Sequence, residues 1–524
     1  MGNLNENHEP KETNLKSKKI SINPFWLIIT ILAAVILSSV ITALSLEAGT
    51  EKAVNVGTDT RSEFSKLYSV YDTISTDFYD EVDNEELIES AIDGMVQGLD
   101  DPYSEYMNME ATDAFQETVT GDFEGIGAEV IQEGNRIIIT SPMRGSPAEA
   151  AGIEPGDQII AVDGESLEGM TTTEAVQLIR GEKGTDVVLT IVRGEGEPMD
   201  ITVTRDTIHI DSVTYEEVDG VGHISINRFQ QGTTEEFEES INQAAEDDVE
   251  DIIVDFRYNP GGLLSEAVTL INQFVPEDEI ALLLEDSNGE QLPLRTESPH
   301  NENTEDMNLH ILINEGSASA SEVFAGALDD HFEDVIIAGT QSFGKGVVQQ
   351  TQEFSDDSML KYTNTKWLTP EGRWIHNEGI TPDLELVNPD YYRVEILNED
   401  DVYTEDQESE TVISIKVALE TLGYEAGTIN EVFDETLTSA VESFQEDNDL
   451  EADGNVTGET SRLLMSELRN YINENDAQLE YLISYITGEH GAGEIEEIAE
   501  DNARHIEIPT LEELQEDASE NSTE

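Results

Sequence analysis

The 524-residue chain has no cysteine, so neither disulfides nor thiolate metal sites are open to it. Any part of it outside a cell must be held by ordinary apolar cores. Cations are also scarce: 25 Lys and Arg stand against 115 Asp and Glu, a formal charge of -90. Phosphate contacts need clustered basic residues, which excludes nucleic acid as a partner. The 9 histidines are scattered without ligand spacing, so no metal or organic cofactor is implied. Such acidity often marks disorder, but a hydrophobic content of 37% and long patterned segments favour folded domains.

One long apolar run is present, "FWLIITILAAVILSSVITALSL" (Phe25–Leu46), and it follows Lys11, Lys16, Lys18 and Lys19. At 1.5 Å rise per residue its 22 residues would span a bilayer. It exceeds the apolar core of a cleaved signal peptide, about 7–15 residues. The expectation is an uncleaved transmembrane anchor over 25–46, a basic cytoplasmic N-terminus over 1–24 and a body outside the cytoplasm.

Beyond the anchor the chain changes character several times. Residues 60–112 space their apolar positions as helices do and close on the turn "LDDPYSEYM". Residues 116–206 are short β-rich runs separated by Gly, Pro and Asp, and 208–388 alternate strands with helical stretches, as an α/β core would. A polar connector at Asn398–Glu410 leads to a helical unit over 408–470, and 490–524 reads as an acidic tail whose end, "LQEDASENSTE", is expected to be unordered. The fold class is multidomain α+β.

Chemistry is suggested first by "NEGSASASEVFAGAL", where Ser317, Ser319 and Ser321 lie between a strand and a helix. A serine there can simply cap the helix. It can also be a nucleophile at the positive helix end. With histidine so sparse, the candidate base is Lys345, between two glycines in the apolar "SFGKGVVQ". A lysine serves only when burial lowers its pKa from about 10.4. Gln349 can fix the amine by hydrogen bonding without adding charge. The glycines of "DFRYNPGG" can aim backbone amides at an oxyanion. Ser342 and Lys345 also fit a Ser-x-x-Lys pattern, but that needs one helical turn, and Phe-Gly-Lys-Gly is a poor helix former.

Together with "TPEGRWIHNEGITPD", these motifs resemble the carboxyl-terminal processing (tail-specific) proteases, over about residues 60–470. The resemblance implies a serine endopeptidase with Ser319 as nucleophile, Lys345 as general base and Gln349 as third member, in preference to an aspartate near Asp330. It implies oxyanion amides from Gly262 (or Gly261) and Ala320, and protein substrates with free C-termini. "GDFEGIGAEV" with "SPMRGSPAEAAGIEPGDQIIAVDG" resembles a PDZ domain (116–206) whose carboxylate loop is Phe123-Glu124-Gly125-Ile126-Gly127. Arg180, at its edge, is a regulatory candidate. Residues 408–470 resemble a three-helix peptidoglycan-binding domain, with Leu422, Tyr424, Val441 and Phe444 as core. Its usual Asp-Gly turn is degraded to "INEVFDE", so peptidoglycan is one expected partner and a structural or homodimer-forming role the alternative. The competing reading of the whole chain is a non-catalytic PDZ and cell-wall scaffold.

The charge generates a prediction of its own. Added salt shortens the Debye length from about 30 Å at 0.01 M to about 3 Å at 1 M and screens carboxylate repulsion. The melting temperature of the protein should therefore rise from dilute buffer to molar NaCl. Circular dichroism melts across that series check it; a flat or falling midpoint contradicts it.

Overall fold

In a computed structural model of the chain, residues 64–194, 196–297 and 301–504 are described. The N-terminus (1–24) and the expected anchor (25–46) lie outside them, as does the expected unordered end. Among the described residues no helix is long and apolar enough to cross a membrane. The chain divides into two compact units, residues 1–87 and 88–524. The first contributes the described helix Ser65–Asp77, none of whose residues is buried.

The second unit is built around a six-stranded sheet whose spatial order follows the sequence: Val213–Val218, Val221–Ile226, Asp251–Asp255, Asn308–Ile313, Ile336–Gly339 and Leu384–Glu385. The first pair is antiparallel and the others parallel. Parallel strands are buried on both faces, which is why "DIIVD" and "LHILI" are apolar at consecutive positions. On one face Ile252, Val254, Ile311 and Ile313 meet Phe237, Ile241, Leu270 and Phe324 of the crossover helices Thr233–Glu246, Leu264–Ile271 and Ala320–His331. On the other, Ile253, Leu312, Ala338 and Leu384 meet Leu479, Leu482, Ile483 and Ile495. Those partners come from helices Ala477–Ile486 and Ala492–Asn502.

The core expected over 208–388 is thus completed by the chain's C-terminal helices. The acidic tail expected from residue 490 begins with one of them, anchored by fully buried Ile495 and Ala499. Burying a side chain like Ile495 contributes about 1.5–3 kcal/mol. Two apolar positions four residues apart were enough to hold a helix among acids.

A second sheet pairs Met359–Leu368 with Val347–Glu353 along one edge, and with Glu105–Met107 and Ile280–Glu285 along the other. The β-rich region forms its own sheet from Ala128–Glu133, Arg136–Pro142, Gln158–Val162, Asp186–Val192 and Met199–Thr204, around a separate core that includes Ile139, Val187 and Leu189. It joins the rest through a two-stranded neck, Asp122–Gly125 paired with Asp206–His209. Helices Glu410–Thr421, Glu435–Asp447 and Glu459–Glu474 enclose a third core. Val441 and Phe444 are fully buried there, with Leu422 and Tyr424 packed against them. In the altered turn, Phe433 fills this core and the Asp434 carboxylate caps the next helix by accepting from Leu437 N–H (3.0 Å).

Candidate active site

Strand Asn308–Ile313 passes through a turn into helix Ala320–His331, and the three serines separate by what they touch. Ser317 Oγ donates to Phe256 O (2.8 Å) and accepts from Asn314 N–H (2.9 Å). Ser321 Oγ donates to Asn259 O (3.1 Å). Both are fully buried and tie the turn to the neighbouring loop. Ser319 instead lines a cleft of about 730 Å³. Its φ of 55° and ψ of -111° are sparsely populated for a residue with a side chain, a strain of order 1–3 kcal/mol.

Glu322 holds that conformation. Its carboxylate is only 1% exposed and accepts from Ser319 N–H (2.8 Å), Lys345 N–H (2.9 Å), Gly344 N–H (2.6 Å) and Ser342 Oγ (2.6 Å). Burial pushes its carboxyl above the ordinary range, while the four donors pull it down. One side chain therefore fastens the serine turn to the lysine loop. The lysine loop is held from outside as well. Trp367 Nε1 donates to Lys345 O and Trp374 Nε1 to Gly346 O, each at 2.8 Å. A Cβ on Gly344 would lie 2.9 Å from Gly379 N, and one on Gly346 2.8 Å from the His376 backbone, so only glycine fits on either side of Lys345.

The Lys345 side chain lines the same cleft as Ser319, with its amine 4.8 Å from the centre of the Tyr103 ring. Among the described residues that amine forms no ion pair, whereas Lys361 and Lys366 reach Glu105 and Glu285. Burial, helped by repulsion from Lys361, lowers its pKa from 10.5 to about 8 against the pull of Glu322 and Asp101. Gln349 lines the cleft too, at a bulge that sets it opposite Thr363. Its expected hydrogen bond to the amine is not the one formed: Gln349 Nε2 donates to Thr363 Oγ1 (3.1 Å).

The glycine loop packs against the serine. A Cβ on Gly261 would lie 2.8 Å from Ser319 Cβ and 2.9 Å from Ala320 N. Gly261 N–H donates to Asn259 Oδ1 (2.9 Å), so it is already used. Gly262 pairs with Phe229 through its neighbours, because Phe229 N–H donates to Gly261 O and Leu263 N–H to Phe229 O. Its own N–H therefore points away from that ladder. Ala320 N–H, in the first helical turn, has no intrahelical acceptor. A hydroxyl, an amine of lowered pKa and the Gly262 backbone line one cleft, with Ala320 N–H adjoining Ser319 in the chain, an arrangement that suits attack on an acyl carbon.

Other expected residues lie elsewhere. Asp330 pairs with Arg373 and accepts from Glu371 N–H, outside the cleft. Ser342 is fully buried in a non-helical segment, with its hydroxyl given to Glu322, which removes the Ser-x-x-Lys alternative. Phe123 and Gly125 belong to the neck strand, so the expected carboxylate loop is reduced to Ile126 and Gly127 at its end. The Arg180 guanidinium stacks 4.9 Å from the Phe123 ring centre and pairs with Glu117 (2.7 Å). Glu117 sits on helix Met109–Thr120, which lines the cleft through Phe115, Thr118 and Val119. Among the described residues the single grouping suited to a metal is His209, Asp211 and Glu236 at the neck. There both His209 nitrogens already face carboxylates, of Asp122 and Glu236.

Sequence reasoning missed Glu322 and Tyr103. The signal for Glu322 was present in Ser319-x-x-Glu322, a capping-box spacing whose acid returns to the first residue's amide. Glu322→Gln should strand at least one buried donor, at about 1–3 kcal/mol each. Peptidase turnover should fall roughly 10–100-fold by that energy, with KM little changed. Steady-state kinetics check it; wild-type kcat would show that the clamp is dispensable.

The chain matches "Peptidase family S41" over residues 220–386, "Activating protease CtpB N-terminal domain" over 37–111, "PDZ domain" over 138–193 and "Putative peptidoglycan binding domain" over 408–464. It is 41% identical over 468 residues to a "Probable CtpA-like serine protease" of Staphylococcus epidermidis, covering 89% of this chain and 95% of that one. The same-named protein of Staphylococcus haemolyticus is 40% identical over 484 residues, covering 92% and 97%. Among solved structures, the photosystem II D1 C-terminal processing protease is 27% identical, with a TM-score of 0.36 over 61% of this chain and 86% of that one. With catalytic core, PDZ domain and C-terminal helical domain all matched along one chain, the protein belongs to peptidase family S41, the family of the CtpA-like serine proteases.

Proposed function

We propose that this S41 serine protease works through a Ser-Lys dyad and cleaves proteins selected by their C-terminal tails. Neutral Lys345 Nζ takes the Ser319 hydroxyl proton as Oγ attacks the scissile carbonyl. The oxyanion is received by Gly262 N–H and Ala320 N–H, and the lysine returns its proton to the leaving amine. Water then hydrolyses the acyl-enzyme by the same route. Gln349, its amide fixed by Thr363, supports the base from within the cleft. The observation that carries this reading is the Lys345 amine, largely desolvated and, among the described residues, without an ion-pair partner, in the cleft that Ser319 lines.

The PDZ domain would receive the substrate's free carboxylate at Ile126 and Gly127. Arg180 would relay occupancy through Phe123 and Glu117 to the helix beside the cleft, a reading supported by that chain of contacts. The uncharged run Phe25–Leu46 after a lysine-rich start supports a single-pass anchor with the catalytic body outside the cytoplasm. The C-terminal domain, with its altered turn, is assigned to peptidoglycan or to pairing of two copies.

The test is cleavage of an unstructured protein by the full-length enzyme. Ser319→Ala should abolish it, whereas Ser317→Ala and Ser321→Ala should leave most of it. Lys345→Arg should be inactive despite keeping the charge, because guanidinium does not deprotonate in this range. For the wild type, kcat/KM should climb with pH and level off above about 8, since the amine must be neutral to act. An active Lys345→Arg enzyme would sink the dyad.

A further inference from the structure

The group that faces the Lys345 amine comes from far away in the sequence. Tyr103 lies in the turn that closes the N-terminal helical segment, and with Pro102 it forms one wall of the cleft. The turn is locked at several points. Asp101 accepts from Tyr103 N–H (3.3 Å) and Ser104 Oγ (2.5 Å), and Ser104 Oγ in turn accepts from Thr363 N–H (3.1 Å). Thr363 also holds Gln349. Strand Glu105–Met107 then pairs with Met359–Leu368, and Glu105 binds Lys361 Nζ (2.8 Å). The tyrosine is thus fixed to the strand that positions Gln349.

A ring in this place can act in two opposite ways. Its face attracts a charged amine, which favours the protonated lysine. Its bulk also keeps water from the amine, which favours the neutral lysine. The surrounding charges show which effect dominates. From the turn, Asp101 has given its carboxylate to the turn's own donors, and from the helix Glu322 has given its own to four donors. From the strand, Lys361 repels a second positive charge. The Tyr103 phenol is raised above its ordinary value by burial and stays uncharged, and His376, edge-on to Tyr103 at 6.4 Å, is lowered by burial. Among the described residues no group there compensates a charged amine fully, so exclusion of water prevails.

We infer that Tyr103 is a positioning residue for the base: its ring closes the cleft over the Lys345 amine and keeps that amine dry and neutral. The inference rests on Lys345 being the base. It also makes the turn "LDDPYSEYM" part of the active site rather than a mere end to the helical segment.

The experiment is the pH profile of kcat/KM, from pH 6 to 10.5, for the full-length wild type, Tyr103→Phe and Tyr103→Ala. Tyr103→Phe keeps the ring and should keep the wild-type midpoint. Tyr103→Ala admits water and should move the midpoint up by about one unit or more, towards the free-lysine value. Its activity near neutral pH should then fall about tenfold, while the high-pH plateau recovers most of it. A purely structural loss would lower the whole profile without moving it. If the alanine variant does not fold, Tyr103→Gln, similar in bulk but wetter, should show the same direction. A midpoint unchanged or lower in Tyr103→Ala and Tyr103→Gln would overturn the inference and leave the dyad standing. A wild-type profile with no rise near pH 8, or activity in Lys345→Arg, would overturn the dyad and this inference with it.

Discussion

The Glu322 carboxylate accepts four hydrogen bonds from the serine turn and the lysine loop, which are joined besides by Phe343 N–H donating to Ser317 O (3.0 Å), and the geometry of the cleft depends on it. A buried carboxylate without partners costs several kcal/mol. Here every donor comes from the serine turn or the lysine loop, so the cost can be met only when both are in place. The same saturation matters for the lysine. A carboxylate this close would ordinarily keep an amine protonated, yet its oxygens are occupied by backbone amides and Ser342. Burial of Lys345 outweighs the remaining attraction.

Below pH 8 that burial carries a stability penalty. An unfolded chain holds the lysine proton up to about 10.5, the folded protein only up to about 8. Between these values the unfolded state binds more protons, so stability from this group rises with pH across that window. Below it the penalty is constant, about 3 kcal/mol at 1.36 kcal/mol per unit. A residue chosen for stability would not be a lysine here.

The sheet supplies the support. Arg257, two residues before Asn259, is nearly buried and binds Asp255 (2.6 Å) and Asp476 (2.5 Å). Asp255 is held well below the usual carboxylate range by Arg257 and His223, against the cost of burial. Asp476 caps helix Ala477–Ile486, which covers the far face of the sheet. The C-terminal helices therefore brace the glycine loop from behind as well as sealing the core. Asn259 ties the loop to the sheet with both ends of its amide, donating to Ile226 O (2.7 Å) at the end of strand Val221–Ile226 and accepting from Gly261 N–H.

What was legible in the sequence was local. Ser319, Lys345 and the glycine pair stand in compact motifs, and strand-helix alternation gives the α/β core by period alone. The buried faces of Val441 and Phe444 follow from helical spacing. Glu322 and Tyr103 were opaque because their meaning lies in partners brought near by folding. An acid in a helix ordinarily reads as solvated, and a tyrosine in a Pro-containing turn as punctuation. The helix at 492–502 was hidden because its two buried residues are outnumbered by acids. The Asp122–Gly125 strand looked like loop because its partner, Asp206–His209, lies beyond the whole PDZ sheet.

The central claim is that burial lowers the Lys345 pKa to about 8, so that a large fraction of the amine is neutral there. The most direct measurement is an NMR titration of the lysine side chains in the full-length enzyme, with Lys345 assigned by comparison with Lys345→Arg. The account predicts one lysine titrating near pH 8 that is missing from the variant. If every lysine, Lys345 included, titrates near 10.5, the account is contradicted.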